Sequence, residues 1–310
     1  MKEYLQYIAN VRRYSPRTVE IYRGVLEEYC SFLELPEGSP LEKDNLGVQS
    51  LRAYEVYLLD RKKNNARTVN LQLSVLSGYC KYLIKQGRLD ANPVRIVSRP
   101  RQSKRLPEFF REEDIKSYFE NTKGVPEYGS YEAKLSRMVV SVLYGTGIRR
   151  AELISLNRNS MDWRRRTLRV RGKGDKMREI PLTDTLCEEI SLYLQSVDSL
   201  KYGDTGDEAP LLQTSRGARL YPMLVERIVH GELSGETDIT SRKSPHVLRH
   251  TIATELMGNG ADMNSIKELL GHSSLAATQV YTHNSIERLK SVYINAHPRA
   301  KNGGKNGNQD

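Results

Sequence analysis

The chain has 310 residues, 38% of them hydrophobic and 28% charged, with a formal net charge of +10. That length suits two domains and an ample core, and three scattered cysteines (Cys30, Cys80 and Cys187) exclude a disulfide framework and a thiolate zinc site. The start lacks the apolar stretch of a signal peptide and no run approaches the roughly 18 apolar residues of a membrane helix, so a reducing cytoplasm with no membrane contact is expected.

Residues 1–91 read as a bundle of about four short helices. Ser15-Pro16 opens one, with Ser15 as N-cap and Pro16 at the first helical position. Val19, Tyr22, Val25, Leu26, Tyr29 and Phe32 follow at three- and four-residue steps, an amphipathic stripe. Residues 35–45 carry Pro36, Gly38 and Pro40 and read as a loop. Helical patterns resume over 48–59 and 66–86, the second with Gly87 as a C-cap. Arg61, Lys62 and Lys63 lie between these helices as candidates for contacting phosphates; a solvated basic loop explains them as well. Residues 92–107 hold three prolines together with Arg95, Arg99, Arg101, Lys104 and Arg105 and read as a basic linker able to lie along a DNA backbone. Residues 1–105 contain 19 Lys and Arg against 11 Asp and Glu, so the excess positive charge sits in the first third, as in a module that grips a polyanion.

From Glu108 the pattern changes. Arg111-Glu112-Glu113-Asp114 is an acidic helix start. An apolar helix over 135–144 ends at Gly145-Thr146-Gly147, and another begins at Arg150. Thr167 to Arg171 alternates in the strand manner, Gly172-Lys173-Gly174-Asp175 forms a turn, and Glu179 to Leu182 pairs back as a β-hairpin. Helical patterns then cover 185–197, 221–229, 247–259, 263–270 and 275–281, and the Gly/Asn/Lys-rich tail from Lys301 reads as disordered.

Breaking a phosphodiester reversibly requires fixed cations around the non-bridging oxygens, an in-line nucleophile on the enzyme and a proton for the leaving alkoxide. Four segments offer such parts. Arg149 follows the Gly145-Thr146-Gly147 break near a helix start, with Glu152 one turn on to orient it; a surface Arg–Glu pair is the bland alternative. Lys173 sits at the hairpin tip, where a lysine reaches a groove or merely keeps a turn in solvent. His246 and Arg249 share a helix face, which suits acid–base work beside an oxyanion donor. His246 and His250 also have metal-ligand spacing, but no His-Glu-x-x-His pattern accompanies them. Gly271-His272 is followed by Tyr281, one of 18 tyrosines, whose phenol, with an ordinary pKa of about 10, would need nearby cations and a base.

Taken together these segments resemble the tyrosine recombinases, the phage-integrase family. The family pattern is an Arg in a Thr-Gly-Leu/Ile-Arg-x-x-Glu-Leu setting, a hairpin Lys, a His-x-x-Arg, a Gly-His and a Tyr about nine residues later. Arg149, Lys173, His246, Arg249, His272 and Tyr281 match it in that order. Each motif is weak alone; six in order make coincidence implausible. The resemblance spans nearly the whole chain and implies a mainly α fold with a small β-sheet in two domains that clamp double-stranded DNA. These are a SAM-like helical core-binding domain over 1–91 and, beyond the linker, a catalytic domain of the DNA breaking–rejoining fold over 108–300.

The resemblance also implies roles. Tyr281 attacks the scissile phosphate, giving a 3′-phosphotyrosine and a free 5′-hydroxyl. Arg149 and Arg249 hold the non-bridging oxygens and His272 adds a hydrogen bond. His246 is the general base, Lys173 the general acid, and Glu152 supports from behind. No metal and no cofactor are implied, and Arg150 is expected to be structural or to touch phosphate.

The helical bundle begins almost at Met1, leaving no additional arm-binding domain, which favours the compact Xer-like group. That group implies resolution of chromosome dimers by a tetramer on a short site, of one chain or with a paralogous recombinase, under a septal DNA translocase. The striped helix over 285–295, with Ile286, Leu289, Val292, Tyr293 and Ile294, would dock on a neighbouring subunit once DNA is bound, or pack on its own domain. Alternatives are an integrase or invertase of a mobile element, a type IB topoisomerase, or a DNA-binding protein with a decayed site.

Overall fold

Tyr4, Tyr7, Val25, Leu26, Tyr29 and Cys30 are matched by Tyr54, Tyr57, Val75, Leu76, Tyr79 and Cys80, at a constant offset of 50 residues. The computed structural model gives both stretches one shape. Helix α1 (Lys2–Gln6) runs into a π-helical turn, Tyr7–Val11, then a left-handed Arg13 (φ 51°), then α2 (Pro16–Phe32). Likewise α3 (Val48–Val56) runs into a π-helical turn, Tyr57–Arg61, a left-handed Lys63 (φ 54°) and α4 (Ala66–Lys85). Ser15 Oγ accepts from the Thr18 amide at 3.2 Å, and Asn65 Oδ1 from the Thr68 amide at 2.9 Å, so both long helices start on a side-chain cap. The apolar stripes of the two hairpins form one core, including Leu26, Leu73, Leu76 and Leu83.

The structure describes residues 1–36, 38–101, 109–172, 175–234, 243–271 and 291–299. Lys104, Arg105, Lys173, His272, Tyr281, the helical pattern over 275–281 and the tail over 301–310 lie outside them. The chain divides into two compact units, Met1–Arg105 and Leu106–Asp310.

In the first unit the equivalent phenols of Tyr29 and Tyr79 donate to Asn45 O (2.8 Å) and Leu41 O (2.9 Å), in the segment joining the two copies. A buried phenol needs such an acceptor. That segment, read from sequence as a loop, holds a 3-10 turn at Lys43–Leu46. The stretch read as a linker packs on this unit as far as Pro100. Val94 and Val97 are buried in the core, and Asn70 Nδ2 donates to Pro100 O at 2.9 Å. Two valines three residues apart, beside a Pro93–Arg95 turn, supply the apolar face that the prolines and arginines obscure.

In the second unit come α5 (Glu112–Asn121), α6 (Val125–Tyr128), α7 (Tyr131–Thr146) and α8 (Arg150–Ser155), then β1 (Met161–Asp162), β2 (Thr167–Arg171) and β3 (Met177–Pro181). Helices α9 (Asp184–Asp198), α10 (Pro222–Glu232), α11 (Pro245–Gly258) and α12 (Met263–Leu270) follow. The last turns of α7 are buried on every side, and α7 packs against α6, α8, α9, α10 and α11. A helix apolar all round can be stable only in such a central place. The sheet is antiparallel in the order β1-β2-β3, with Leu168 opposite Ile180 and Val170 opposite Arg178. Strand β1, two residues long, is too short to give an alternation signal.

The described end of the expected docking helix, residues 291–296, packs on its own unit. Tyr293 OH donates to Gly145 O, and Asn259 Nδ2 to Ala296 O at 2.8 Å. Arg299 pairs with Glu189 at 2.6 Å, beside the Arg137–Glu189 pair at 2.8 Å, and lies over the Phe119 ring at 3.9 Å. His297 is fully buried, and burial with the nearby Arg299 charge holds its pKa down to about 3, so it is neutral.

Glu255 on α11 is half-buried against α7. Burial, against the hydrogen bond from Tyr144 OH (2.6 Å) and with the charge of Glu112, pushes its pKa up to about 7. The folded state therefore holds this proton more tightly than the unfolded chain, and its contribution is complete below the ordinary carboxylate pKa and lost as pH rises through about 7. Glu255→Gln is expected to leave stability near pH 5 little changed and to raise it near pH 8 by on the order of 2 kcal/mol, read by thermal melts at the two pH values.

Candidate active site

Three arginines meet at the end of α12. Arg178 Nε donates to Leu269 O at 3.0 Å, Arg249 Nη2 to Leu270 O at 2.5 Å, and Arg149 Nη2 to Gly271 O at 3.1 Å. Three successive carbonyls at a helix C-terminus, which lack intrahelical partners and carry the negative end of the helix dipole, are each taken by a different guanidinium. The three side chains come from separate places: the start of α8, strand β3 and the middle of α11.

One carboxylate binds two of them. Glu152, in the first turn of α8, accepts Arg178 Nη1 on Oε1 (3.1 Å) and Nη2 on Oε2 (2.7 Å), the two-toothed geometry of a guanidinium–carboxylate pair. The same Oε1 accepts Arg149 Nη1 at 2.8 Å, and Oε2 accepts the Arg149 amide at 2.8 Å. The Glu152 and Arg178 side chains are 6% and 5% exposed, whereas that of Arg149 is 35% exposed. Burial alone would raise the Glu152 pKa, but Arg178 and then Arg149 outweigh it and hold the carboxyl below its ordinary value. Glu152 is therefore a buried anion, and removing one partner of such a pair costs about 3–5 kcal/mol.

Arg249 is buried on α11, and its Nη1 also donates to Gly147 O at 2.6 Å. Burial and the neighbouring Arg149 charge depress its pKa to about 10, Glu152 opposing, and Arg178 adding to the depression. It remains a cation at neutral pH. Among the described residues these three guanidiniums thus lie about one carboxylate, Glu152, which is bonded to two of them, and this leaves an excess of positive charge that an anion would balance.

Gly147 and Gly271 make this approach possible. Both have left-handed backbones, φ 63° and 65°. A Cβ on Gly147 would lie 2.6 Å from Leu270 Cδ2, and one on Gly271 would lie 3.1 Å from Arg178 Nη1. Gly147 ends α7 and turns the chain into Arg149; Gly271 ends α12 against the Arg178 guanidinium.

His246 lies one turn before Arg249 on α11 and is exposed. Partial burial of its ring, then the charges of His250 and Arg249, lower its pKa below the ordinary histidine value, with Glu226 opposing and Arg150 adding to the effect. A neutral imidazole at neutral pH can accept a proton. Arg150 pairs with Glu226 of α10 at 2.6 Å, which ties α8 to α10. Around Lys173 the hairpin closes through Gly172 N–H to Lys176 O at 2.7 Å and the Arg171–Asp175 pair at 3.2 Å.

Arg149, Glu152, Arg249 and His246 therefore belong to one region, while Lys173, His272 and Tyr281 lie outside the described residues. Arg178 was not singled out from the sequence. Its signal was the alternation of β3: Arg178 and Ile180 face inward, and an inward arginine on a strand demands an acceptor. Among the described residues no group of three or more His, Cys, Asp and Glu is placed to hold a metal ion. No helix of the described residues is long and apolar enough to cross a membrane.

In the first unit Lys62 Nζ pairs with Glu28 at 3.3 Å, and Lys63 is exposed at its left-handed position. Arg61 ends the π-helical turn and is exposed. Arg99 Nη1 donates to Ser74 Oγ at 3.0 Å and Arg101 is exposed. The 50-residue repeat adds a pair that sequence reading passed over: Arg12 and Arg13 occupy the turn equivalent to that of Lys62 and Lys63, and both are exposed.

The Phage integrase family matches residues 108–288, and the Phage integrase, N-terminal SAM-like domain matches residues 1–87. Tyrosine recombinase XerC of Chlorobaculum parvum is 34% identical, over 97% of this chain and 94% of its own length. Tyrosine recombinase XerC of Bacillus licheniformis is 33% identical, over 97% and 96%. Among solved structures, XerH site-specific recombinase bound to a palindromic difH substrate has a TM-score of 0.69 at 20% identity, covering 90% of this chain and 80% of that one. A lambda integrase dimer bound to a COC′ core site has a TM-score of 0.64 at 18% identity, covering 90% and 97%. These two structures share the fold.

Gly271→Ala tests the close approach at α12. The left-handed backbone alone costs a side chain about 1 kcal/mol, and the methyl, 3.1 Å from Arg178 Nη1, would press on that guanidinium. Thermal melts are expected to show a loss of at least that size.

Proposed function

The chain belongs to the phage integrase family and is a Xer-like, tyrosine-type site-specific recombinase; from that premise we propose that it breaks and rejoins DNA through a 3′-phosphotyrosine on Tyr281. The observation that carries the reading is the convergence of Arg149 and Arg249 on adjacent carbonyls with too little negative charge around them. Two fixed guanidiniums fit the two non-bridging oxygens of a phosphodiester, and their charge is worth most where it builds up in the transition state. Their bonds to carbonyls use some N–H donors and hold the rest in place.

In this reading His246, kept neutral by its surroundings, accepts the Tyr281 phenol proton. Lys173 on the hairpin delivers a proton to the 5′-oxygen, and His272 adds a donor beside Arg149. The attacking phenolate and the departing 5′-alkoxide exchange one ester bond for another, so the 5′-hydroxyl can reverse the step without ATP. Every group this chemistry needs is an amino-acid side chain. Arg61, Lys62, Lys63, Arg99, Arg101, Lys104 and Arg105 contact the phosphate backbone, and the repeat adds Arg12 and Arg13. Such contacts position the protein without reading bases.

Similarity to XerC proteins over nearly the full length of both chains supports a cytoplasmic role in resolving chromosome dimers. The working unit would be a tetramer on DNA, of this chain alone or with a paralogous recombinase, and a septal DNA translocase would activate it. The helix over 285–295, whose described end from residue 291 packs on its own unit, would dock on a neighbouring subunit instead. Integration or inversion of a mobile element and type IB topoisomerase activity are less well supported by these relatives.

A nicked suicide substrate is expected to trap a covalent protein–DNA adduct with the wild type and none with Tyr281→Phe. An adduct with the variant would remove Tyr281 from its role, and efficient relaxation of supercoiled DNA without recombinants would point to a topoisomerase. The rate of adduct formation should fall as pH drops and His246 takes up a proton, with a midpoint below the ordinary histidine value. In His246→Gln that limb of the pH profile should disappear along with most of the activity.

A further inference from the structure

The geometry points to Arg178 as a positioning residue for strand cleavage, acting as the dedicated counter-ion of Glu152 so that Arg149 keeps its charge for the scissile phosphate. The inference rests on the cleavage reading above and adds to it the question of which guanidinium the buried carboxylate neutralises.

Glu152 could pair with either arginine, and the structure divides the labour. Arg178 meets the carboxylate with both terminal nitrogens and has its third nitrogen on Leu269 O. Its side chain is 5% exposed. Arg149 gives the carboxylate only Nη1, gives Gly271 O its Nη2, and remains a third exposed. The buried cation thus neutralises the buried anion, while the accessible cation is oriented by that anion without being fully neutralised by it. Oriented and available are opposite demands on one ion pair, because the carboxylate that aims a guanidinium also cancels its field. A second guanidinium on the same carboxylate satisfies both.

The position of Arg178 in the chain adds a second link. It lies on β3, paired with Val170 across the hairpin whose turn carries Lys173, and its guanidinium packs against Gly271, directly before His272. Gly172, at the start of that turn, also lies close to it: a Cβ there would be 3.3 Å from Arg178 Nη1. One buried side chain therefore joins the hairpin, the start of α8 and the end of α12, three segments that carry the proposed catalytic groups.

The test uses the full-length protein and the nicked suicide substrate, with DNA affinity measured by gel shift and folding by thermal melts. Arg178→Lys keeps the charge and loses the fork. It is expected to slow covalent adduct formation by roughly tenfold or more while DNA affinity stays within about twofold. Arg178→Met leaves Glu152 to Arg149 alone and should be slower still. Glu152→Gln/Arg178→Met removes the stranded anion and should cleave faster than Arg178→Met, because the neutral amide oxygen of the substitution can still accept from Arg149 without cancelling its charge. A methylphosphonate at the scissile position carries one charge fewer, and the Arg178→Met deficit should shrink on that substrate. Adduct formation by Arg178→Lys at the wild-type rate overturns the proposal. So does a double variant that folds and cleaves no faster than Arg178→Met, which would leave Arg178 a structural anchor only. Should Arg178→Met fail to fold, the comparison of Arg178→Lys with the wild type and of the double variant with Glu152→Gln carries the test. In that second comparison the two should cleave alike, and a much slower double variant counts against the proposal. Absence of an adduct with the wild type would instead sink the cleavage reading itself.

Discussion

One buried carboxylate, Glu152, with two guanidiniums on it, is the interaction on which the arginine cluster of the second unit depends. It lies in the first turn of a helix only six residues long, too short to be stable by itself. Its oxygens accept the amide and the guanidinium of Arg149, the residue just before that helix, and an arginine from the sheet. Burying a carboxylate is costly in isolation. Here the cost is offset by charge-assisted hydrogen bonds on both oxygens, and the result is a fixed direction for Arg149.

The same constraint governs the end of α12. A helix that ends in the interior leaves carbonyls without partners, and such groups must be satisfied or the end frays. Leu269, Leu270 and Gly271 are satisfied by Arg178, Arg249 and Arg149 in turn. What would otherwise be a liability becomes a template that spaces three cations. The two left-handed glycines at 147 and 271 let the backbone come close enough for those bonds, and no residue with a Cβ fits either place without displacing a neighbour.

The first unit solves a different problem with repetition. Two copies of a helix, a π-helical turn, a left-handed basic residue and a capped long helix bury their stripes against each other. Equivalent tyrosines then reach into the joining segment to satisfy their hydroxyls. The repetition places a basic pair at each turn, Arg12-Arg13 and Lys62-Lys63. In the other unit Tyr293, His297 and Arg299 pack against α7 and Glu189, which fixes the segment over 291–299 on the helix that ends at Gly147.

Much of this was determined by the sequence alone. The helical stripes, the hairpin pairing and the glycine breaks follow from local periodicity and backbone preference. The ordered set of Arg149, Lys173, His246, Arg249, His272 and Tyr281 is legible because its spacing and residue types are local. The partnership of Glu152 with Arg149 is likewise a one-turn relation. Arg178, the two-residue strand β1, the burial of Val94 and Val97, and the capture of three carbonyls by three arginines were decided only by the tertiary structure. The arginine contacts depend on groups far apart in the chain, 26 residues for Arg178 and Glu152 and 122 for Arg149 and Gly271. A sequence states which side chains carry charge; which cation neutralises the buried anion, and which is left for a substrate, is set by burial, and burial is a property of the packed fold.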